Sequence, residues 1–291
     1  MFGFLNIYKP QGITSHDVVS YFRKLTKIKQ IGHTGTLDPF AEGVLPICIG
    51  KATRLIEYLS DDKAYLATVQ FGKNTDSYDL TGNVTETFSS KISKADILTY
   101  LPRFNGEIEQ IPPIYSAIKV KGKKLYEYAR HGENIEIKSR RVIISEIDLK
   151  TFNEKEQTAE IYVACSKGTY IRSIAYDLGK LLNCGGYLKK LVRTKAGKFD
   201  INFSVKMNDF LSIKDVEENL ISPAKMLDYP EYELNEEEYK RIITGQSICN
   251  KNINNADTAI LFYNNEVSAV ACINDGVIKV NKVFVWKLIN L

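Results

Sequence analysis

One aspartate in a stretch of turn-forming residues is the first candidate for chemistry in this sequence. Residues 32–50 read GHTGTLDPFAEGVLPICIG, with glycine and proline around His33 and Asp38. Turn formers hold the backbone in conformations that few sequences adopt, so a carboxylate in such a loop can be aimed at a substrate. An aspartate can act there as a nucleophile, a general base or a metal ligand, or it can simply form a turn.

The surroundings of Asp38 do not support metal or hydrolase chemistry. A metal site needs several His, Cys or carboxylate ligands at fixed spacing, and the three histidines, His16, His33 and His131, form no such pattern. We therefore predict no metal and no cofactor. The G-x-S-x-G elbow of Ser-His-Asp hydrolases is also absent from the sequence. A nucleotidyltransferase with its histidine loop at GHTGT is an alternative, but it requires a helix directly after the loop.

Two further side chains with possible chemistry lie on patterned elements. Tyr65 belongs to an alternating strand over 64–71, where a core tyrosine is the simpler interpretation. Arg172 lies at the start of an amphipathic helix that ends near Gly185. An arginine beside a buried face normally has a carboxylate partner, because an unpaired buried charge is costly. The pattern alone does not identify that partner.

The elements that must position these residues follow from hydrophobic periodicity. The loop over 32–43 lies between a predicted helix and a predicted buried strand. Strands are predicted at 4–8, 44–49, 64–71, 142–149 and 159–165. Helices are predicted at 16–28, 53–59, from Ser93 to Pro102, from Ile171 and at 209–220.

A second unit is predicted after a boundary near 229–234. Asn235 and Glu238 form a capping-box pattern for a short helix that ends at Gly245. Four short apolar runs follow, TAILFY, VSAVACI, VIKV and VFVW, with turn signals at Asn264-Asn265 and at 274–276. This is the pattern of β-hairpins, so we expect a small β-barrel-like module.

Composition places the chain among ordinary globular proteins. Its 291 residues are 44% hydrophobic and 25% charged. No apolar stretch reaches the roughly 20 residues of a membrane helix, and the N-terminus does not have the pattern of a signal peptide. Five cysteines without a C-x-x-C pair indicate reduced thiols and a cytoplasmic protein.

Basic residues are concentrated in two segments. The net charge is +4, with eight Lys or Arg against three Glu in 119–141 and five Lys or Arg without an acid in 186–198. Such clusters fit a polyanionic partner, although a solvated lysine-rich surface is the alternative. Residues 229–291 carry a balance of −2.

Five segments, in order, resemble the TruB family, the bacterial tRNA pseudouridine synthases that act on the T-arm uridine at position 55. The segments are NIYKPQGITSHDVV, GHTGTLDPFAEGVLPICIGKATR, KAYLATVQFGKNTDSYDLTG, IPPIYSAIKVKGKKLYEYAR and CSKGTYIRSIAYDLG. The resemblance covers most of residues 4–200. Tyr187 and Val192 depart from it, since many relatives have His and Arg there, and Phe40 stands where Leu is usual.

The resemblance implies roles for individual residues. Asp38 would be the catalytic carboxylate and Arg172 its ion-pair partner. Tyr65 would be the active-site tyrosine. The residues implied to contact the substrate are His33, Tyr65, Tyr170 and Leu191. Whether Asp38 attacks C6, attacks C1′ or acts as a base on a glycal path stays open.

The resemblance also implies a fold and a partner. The fold is α+β: a pseudouridine synthase core over 1–228 with a mixed, largely antiparallel sheet flanked by helices, and a PUA-like RNA-binding module over 229–291. Residues 114–141 would form an RNA-gripping arm. The partner would be the T stem-loop of tRNA, bound by a monomer. The expected RNA backbone contacts are Lys9, Lys119, Lys121, Lys123, Lys124, Arg130, Lys189, Lys190 and Arg193. A non-catalytic RNA-binding or RNA-chaperone protein is the main alternative.

Overall fold

A computed structural model describes residues 1–133, 135–250 and 253–284, apart from the side chain of Arg130. The α-helices are α1 (Ser15–Thr26), α2 (Lys94–Tyr100), α3 (Leu125–Arg130), α4 (Ile171–Leu181), α5 (Ile213–Glu218) and α6 (Glu236–Ile243). Short 3-10 helices lie at Gly50–Tyr58, Leu101–Phe104, Ile201–Phe203, Met207–Asp209 and Pro223–Met226.

The strands form one large sheet, one smaller sheet and two hairpins. Those before the central helix are β1 (Gly3–Lys9), β2 (Ile31–His33), β3 (Glu42–Ile49), β4 (Lys63–Phe71), β5 (Lys73–Thr75), β6 (Val84–Thr87), β7 (Gly106–Gln110), β8 (Lys119–Val120), β9 (Lys123–Lys124), β10 (Arg140–Asn153) and β11 (Thr158–Cys165). Those after it are β12 (Gly186–Ala196), β13 (Phe199–Asp200), β14 (Val205–Lys206), β15 (Glu231–Glu233), β16 (Ile248–Cys249), β17 (Ala256–Tyr263), β18 (Glu266–Asn274) and β19 (Val277–Val283).

The large sheet has ten strands in the order β14-β1-β3-β12-β4-β11-β10-β7, with β13 added to β12 and β2 added to β3. The pairs β1–β14 and β3–β12 are parallel, and the other pairs are antiparallel. This is the predicted mixed, largely antiparallel sheet. Its core contains the apolar faces of α1 and α4, including Phe22, Ile174 and Leu178.

Local sequence explains where the two long helices of this core begin. Thr14 caps α1 in a capping box with Asp17, whose carboxylate accepts the backbone N–H of Thr14. The apolar residues of α4 recur at helical spacing, as predicted, and its Gly179 packs against the backbone of Gly185 and Gly186. A Cβ at Gly179 would lie 2.2 Å from the amide nitrogen of Gly186, so only glycine allows α4 to approach β12 this closely.

Strand β12 lies at the centre of the large sheet and was not predicted. Its sequence, GYLKKLVRTKA, contains two adjacent lysines, and two register shifts relative to β4 interrupt its alternation. The helix predicted over 209–220 is shorter than expected, because only Ile213–Glu218 is α-helical.

The arm predicted over 114–141 has its own structure. Strands β8 and β9 form a hairpin whose tip, Lys121 and Gly122, has positive φ at both positions. Helix α3 follows, and its residues Leu125 and Tyr128 are buried.

The small sheet has five strands in the order β15-β17-β18-β19-β16. Both predicted hairpin turns are present, with positive φ at Asn264, Asn265, Asp275 and Gly276. The predicted run VFVW continues past the described residues after Phe284. Buried apolar residues of β17, β18 and β1, among them Phe4, Ile260 and Val270, pack the small sheet against the large one.

Within the described residues, no helix is long and apolar enough to cross a membrane. The same part of the chain has no group of three or more His, Cys, Asp or Glu that could hold a metal ion. All five cysteines are free, and Cys249 is exposed rather than packed in the core.

Candidate active site

A single arginine joins two carboxylates at the start of α4. The Nε atom of Arg172 lies 3.0 Å from Oδ2 of Asp38, and its Nη1 atom lies 3.4 Å from Oδ2 of Asp79. The same Nη1 donates to the carbonyl of Ser77 at 3.3 Å, and Nη2 donates to the carbonyl of Tyr115 at 3.1 Å. The guanidinium therefore has a fixed orientation, which the planar group can keep with several partners at once.

Exposure differs sharply between the two carboxylates. The side chain of Asp38 is 34% exposed, whereas that of Asp79 is 5% exposed. Asp79 accepts hydrogen bonds from the hydroxyls of Ser77 and Thr81 and from the amide of Thr81. The carboxylate of Asp79 thus has its hydrogen-bond partners within the protein, and Asp38 is the carboxylate that a substrate can reach.

The loop over 34–41 that carries Asp38 is tied to α1 and β1. The hydroxyl of Ser15 donates to the carbonyl of Leu37 at 2.9 Å and accepts its amide at 2.8 Å. The amide of Gly12 donates to the carbonyl of Pro39 at 2.8 Å. These bonds flank Asp38 on both sides, so the loop holds its carboxylate in place.

Lys9 was predicted to contact the RNA backbone, and the structure corrects this. Its side chain is fully buried and its Nζ donates to the carbonyls of Pro10 and Ile13, at 2.9 and 2.8 Å, and of Pro39 at 3.5 Å. Burial lowers its pKa to about 8. Lys9 has no exposed surface to offer a phosphate, and it stabilises the loop of Asp38 instead.

Arg193 requires the same correction. It is 1% exposed, and its guanidinium donates to the carbonyls of Val44, Thr36 and Gly35 at 2.6, 3.3 and 3.1 Å. The lysine-rich sequence around Arg193 predicts a surface contact only when strand β12 is not recognised. Arg193 therefore stabilises the start of the 34–41 loop and the strand that follows this loop.

Strand register brings Tyr65 and Leu191 to one face of the sheet. Tyr65 on β4 lies opposite Arg193 on β12, and Ala67 lies opposite Leu191. Directly opposed residues of an antiparallel pair share a face, so Tyr65 and Leu191 are diagonal neighbours. Both are buried, at 9% and 5% exposure, which fits a flat apolar wall.

The pKa of Asp38 reflects opposing influences. Burial raises the pKa of the Asp38 carboxyl, and the nearby Asp79 raises it further, while the Arg172 guanidinium and the Lys9 ammonium lower it. The direction is upward. A nearby opposite charge such as Arg172 lowers a carboxylate pKa, but here burial dominates.

Two tyrosines near Asp38 stay protonated at neutral pH. Burial raises the pKa of Tyr65, against the influence of Arg193, and it also raises the pKa of Tyr170. A hydroxyl with a raised pKa can donate a hydrogen bond, but in its neutral form it is a poor base. His33 ends β2, and burial lowers its pKa, so its imidazole is neutral; its buried Nδ1 has no hydrogen-bond partner.

Gln110 holds Tyr170 at the start of α4. Its Nε2 donates to the carbonyl of Tyr170 at 3.0 Å, and its Oε1 accepts the amide of Tyr170 at 2.7 Å. Gln110 is 2% exposed. This pair of bonds fixes the backbone two residues before Arg172.

The family of the chain follows from its sequence. A family model described as "TruB family pseudouridylate synthase (N terminal domain)" matches residues 23–171, and one described as "tRNA pseudouridylate synthase B C-terminal domain" matches residues 172–228. The chain belongs to the TruB family. It is 41% identical to tRNA pseudouridine synthase B of Carboxydothermus hydrogenoformans, over 98% of this chain and 99% of that protein. It is also 41% identical to tRNA pseudouridine synthase B of Clostridium kluyveri, over 100% of this chain and 99% of that protein.

Solved structures show the same fold. One, an H/ACA RNP bound to a substrate RNA containing 2′-deoxyuridine, aligns with a TM-score of 0.69 at 21% identity, over 98% of this chain and 85% of that chain. A Cbf5-Nop10-Gar1 complex aligns with the same TM-score at 24% identity and the same coverage. The chain therefore has the pseudouridine synthase fold predicted from sequence, and its small sheet fits the PUA-like module.

The site of this TruB chain brings Asp38, Arg172 and Asp79 into one network. Asp79 and Gln110 were missed as site residues, although Asp79 belongs to the segment KNTDSYDLTG that contributed to the resemblance. A lone arginine beside a buried helix face predicts a carboxylate partner. Only the fold shows that Arg172 has two such partners, Asp38 and Asp79.

The remaining predicted RNA contacts of this TruB chain lie mainly on the surface. Those exposed are Lys119, Lys121, Lys123, Lys189 and Lys190, and Lys124 is half-buried. Lys190 pairs with Glu42 at 3.0 Å and Lys123 with Glu133 at 4.0 Å. Arg130, whose side chain lies outside the described part of the chain, stays a prediction.

The nucleotidyltransferase alternative needs a helix directly after the histidine loop. In this TruB chain, His33 is followed by the loop over 34–41 and then by strand β3. The arrangement therefore does not offer a helix N-terminus for a nucleotide phosphate at that position.

Proposed function

We propose that this protein isomerises uridine to pseudouridine in tRNA, at position 55 of the T arm. The observation that carries the proposal is the accessible carboxylate of Asp38, held by a rigid loop and oriented by the buried Arg172. Family membership supports the reaction class. Relatives over nearly the full length of the chain have the name tRNA pseudouridine synthase B, which supports tRNA as the substrate.

The reaction breaks the N1–C1′ bond, turns the uracil ring and forms a C5–C1′ bond. C5 loses a proton and N1 gains one, so no redox partner or water is consumed. Asp38 would act on the sugar or the ring, as a nucleophile at C6 or C1′ or as a base on a glycal path. Tyr65 and Leu191 would form a flat wall along which the freed ring can turn, and Tyr170 would contact the flipped nucleotide.

Tyr65 has a restricted role in this chemistry. Because burial raises its pKa, the hydroxyl is protonated at neutral pH and is better suited to donate a hydrogen bond than to remove the C5 proton. His33 has a neutral imidazole with a buried, unpartnered Nδ1. Its half-buried ring would contact the RNA where the nucleotide leaves the stack, through atoms other than the buried Nδ1.

The target uridine lies in a folded loop and must leave its stack to reach Asp38, at a cost of a few kcal/mol. Contacts of the exposed lysines to phosphates would offset this cost. The proposed contacts are Lys119, Lys121, Lys123, Lys124, Lys189 and Lys190, with Arg130 from the same arm. We also infer a catalytic domain over 1–228, an RNA-guiding module over 229–291 and a monomeric enzyme.

The test uses an unmodified tRNA transcript, without nucleotide or metal, and maps pseudouridine by chemical modification. A matched transcript with cytidine at position 55 is the control for site choice. We expect pseudouridine at position 55 of the first transcript and none in the second. Product at another uridine would keep the reaction but move the site.

Two alternatives give different results in this assay. A non-catalytic RNA-binding or RNA-chaperone protein binds the transcript and leaves no pseudouridine at any enzyme concentration. A nucleotidyltransferase leaves no pseudouridine, and it transfers a nucleotide only after a nucleoside triphosphate is added.

A further inference from the structure

The turn that carries Asp79 has an unusual backbone at Tyr78. Tyr78 has a φ of +62°, in the left-handed region that non-glycine residues seldom enter and that costs free energy to hold. Its two neighbours both face the catalytic arginine, through the carbonyl of Ser77 and the carboxylate of Asp79. The strained residue therefore lies between two of the groups that orient Arg172.

The ring of Tyr78 stacks on Tyr176. The ring centroids are 4.0 Å apart and the planes differ by 15°. Tyr176 follows Arg172 by one turn of α4, and residues four apart lie on the same face of a helix. One face of α4 thus contacts the turn twice, once through the guanidinium and once through the stacked ring.

Other contacts of the turn do not replace this stack. The turn is tied to β12, because the amide of Leu188 donates to the carbonyl of Tyr78 and the amide of Leu80 donates to the carbonyl of Leu188, both at 3.0 Å. These bonds fix the turn against the sheet. Among the hydrogen bonds, ion pairs and ring contacts of the described residues, those that join the turn to α4 are the ring stack and the bonds of Arg172.

We propose that the stacked rings of Tyr78 and Tyr176 are a positioning device that sets the Arg172 guanidinium between Asp38 and Asp79. The assignment rests on the proposed function, since its consequence is the rate of uridine isomerisation. Neither tyrosine is required to touch the substrate. Loss of the stack removes one of the contacts that hold α4 against the turn, so the Arg172 guanidinium is held less firmly between Asp38 and Asp79.

The chain contains a matched control for this device. Tyr239 on α6 and Tyr263 on β17 of the small sheet also stack at 4.0 Å, with planes 14° apart. Removing a ring from either pair deletes the same kind of contact, but only the Tyr78 pair lies beside Arg172. Tyr239→Ala therefore measures what loss of a tyrosine stack does without the positioning role.

The variants keep the fold intact by design. Tyr78→Gly removes the ring and places at φ +62° the one residue that adopts it readily. Tyr176→Ala removes the other ring and leaves the best helix former in α4. Tyr78→Phe keeps the stack and loses only the hydroxyl. Thermal unfolding of each variant checks that it is folded.

The first measurement is the single-turnover rate of pseudouridine formation with enzyme in excess over tRNA. We expect Tyr78→Gly and Tyr176→Ala each to slow the reaction roughly ten- to a hundredfold, as misplacement of a catalytic group does. The double variant should be no slower than the slower single one, because both changes break one interaction. Tyr78→Phe should keep the wild-type rate. The affinity for tRNA should not change in any of these variants.

The second measurement is the pH dependence of that rate, which a merely structural loss would not move. The groups that face Asp38 are Arg172 on α4, Asp79 in the turn, Lys9 on β1, Tyr65 on β4 and Tyr170 before α4. Arg172 lowers the Asp38 pKa, so a displaced Arg172 should move the acidic limb to higher pH. Asp177, beside Tyr176, has a pKa raised by burial to about 6, and Asp177→Asn shows whether it contributes to the limb.

The outcomes separate this assignment from the proposed function. An active wild type with unchanged rate and acidic limb in Tyr78→Gly and Tyr176→Ala overturns the assignment alone. Equal loss in Tyr78→Phe also overturns it, because the hydroxyl and not the stack would then matter. A wild type without pseudouridine activity overturns the proposed function and this assignment with it. Slowing of Tyr239→Ala to the same extent would show a general stability effect and likewise overturn it.

Discussion

The Nε atom of Arg172 lies 3.0 Å from Oδ2 of Asp38, and this contact connects the start of helix α4 to a loop more than a hundred residues earlier in the chain. The arginine is 6% exposed and the aspartate 34% exposed. The contact thus joins a buried, fixed cation to a reachable anion.

Arg172→Lys should slow isomerisation roughly a hundredfold. A lysine has one ammonium and cannot hold Asp38, Asp79 and two carbonyls in one plane. The measurement is the single-turnover rate, with Arg141→Lys as the control because Arg141 is exposed on β10. A rate equal to wild type would show that charge alone, without orientation, suffices.

Asp38→Asn should not lower the stability of the protein at neutral pH. The pKa of Asp38 is raised in the folded state, so its protonated form is favoured there and the ionised form lowers stability as pH rises through that pKa. Arg172 keeps Asp79 as a partner in the variant. Thermal melting from pH 4 to 8 checks this. We expect the variant to melt at or above the wild type at pH 7, with the difference shrinking towards pH 4. A lower melting temperature at pH 7 would mean that the ion pair outweighs burial.

Arg193→Leu should destabilise the protein by at least about 2 kcal/mol, since three carbonyls lose the buried guanidinium as donor and that of Val44 is itself buried. The control is Lys195→Leu, an exposed position two residues along β12. Chemical denaturation gives the free energy of unfolding. A loss no larger than that of the control would contradict the structural role and return Arg193 to the RNA surface.

Lys121→Glu and Lys123→Glu should each weaken tRNA binding and reduce the salt dependence of the binding constant. Each lost phosphate contact lowers the slope of log K against log salt by roughly 0.7 to 0.9. Lys214→Glu, at an exposed site on α5, is the control. An unchanged slope in the arm variants would place the RNA footprint elsewhere.

Local patterns predicted the elements better than their arrangement. The alternation in AYLATVQF placed Tyr65 on a buried strand face, and the helical spacing after Ile171 placed Arg172 at the start of α4. Strand β12 was not predicted because Lys189 and Lys190 interrupt the alternation of apolar and polar residues. In the structure, register shifts relative to β4 accommodate this interruption. That omission led directly to the misassignment of Arg193.

Long-range partners were beyond the sequence for a physical reason. Asp79 and Gln110 act through contacts with residues about sixty to ninety positions away. No local periodicity encodes such pairs, whereas the resemblance to the TruB family identified the Asp38–Arg172 pair across an even longer separation in the chain. The burial of Lys9 follows from the close approach of the 34–41 loop to β1, which the fold alone reveals.

The most direct test of the central claim is pseudouridine formation by Asp38→Asn in a single-turnover assay with unmodified tRNA, together with its tRNA affinity. The substitution keeps the shape of the side chain and removes the carboxylate. We predict no detectable pseudouridine at position 55 and wild-type affinity for tRNA. Product that accumulates at a near wild-type rate would contradict the account, because Asp38 could not then be the catalytic group.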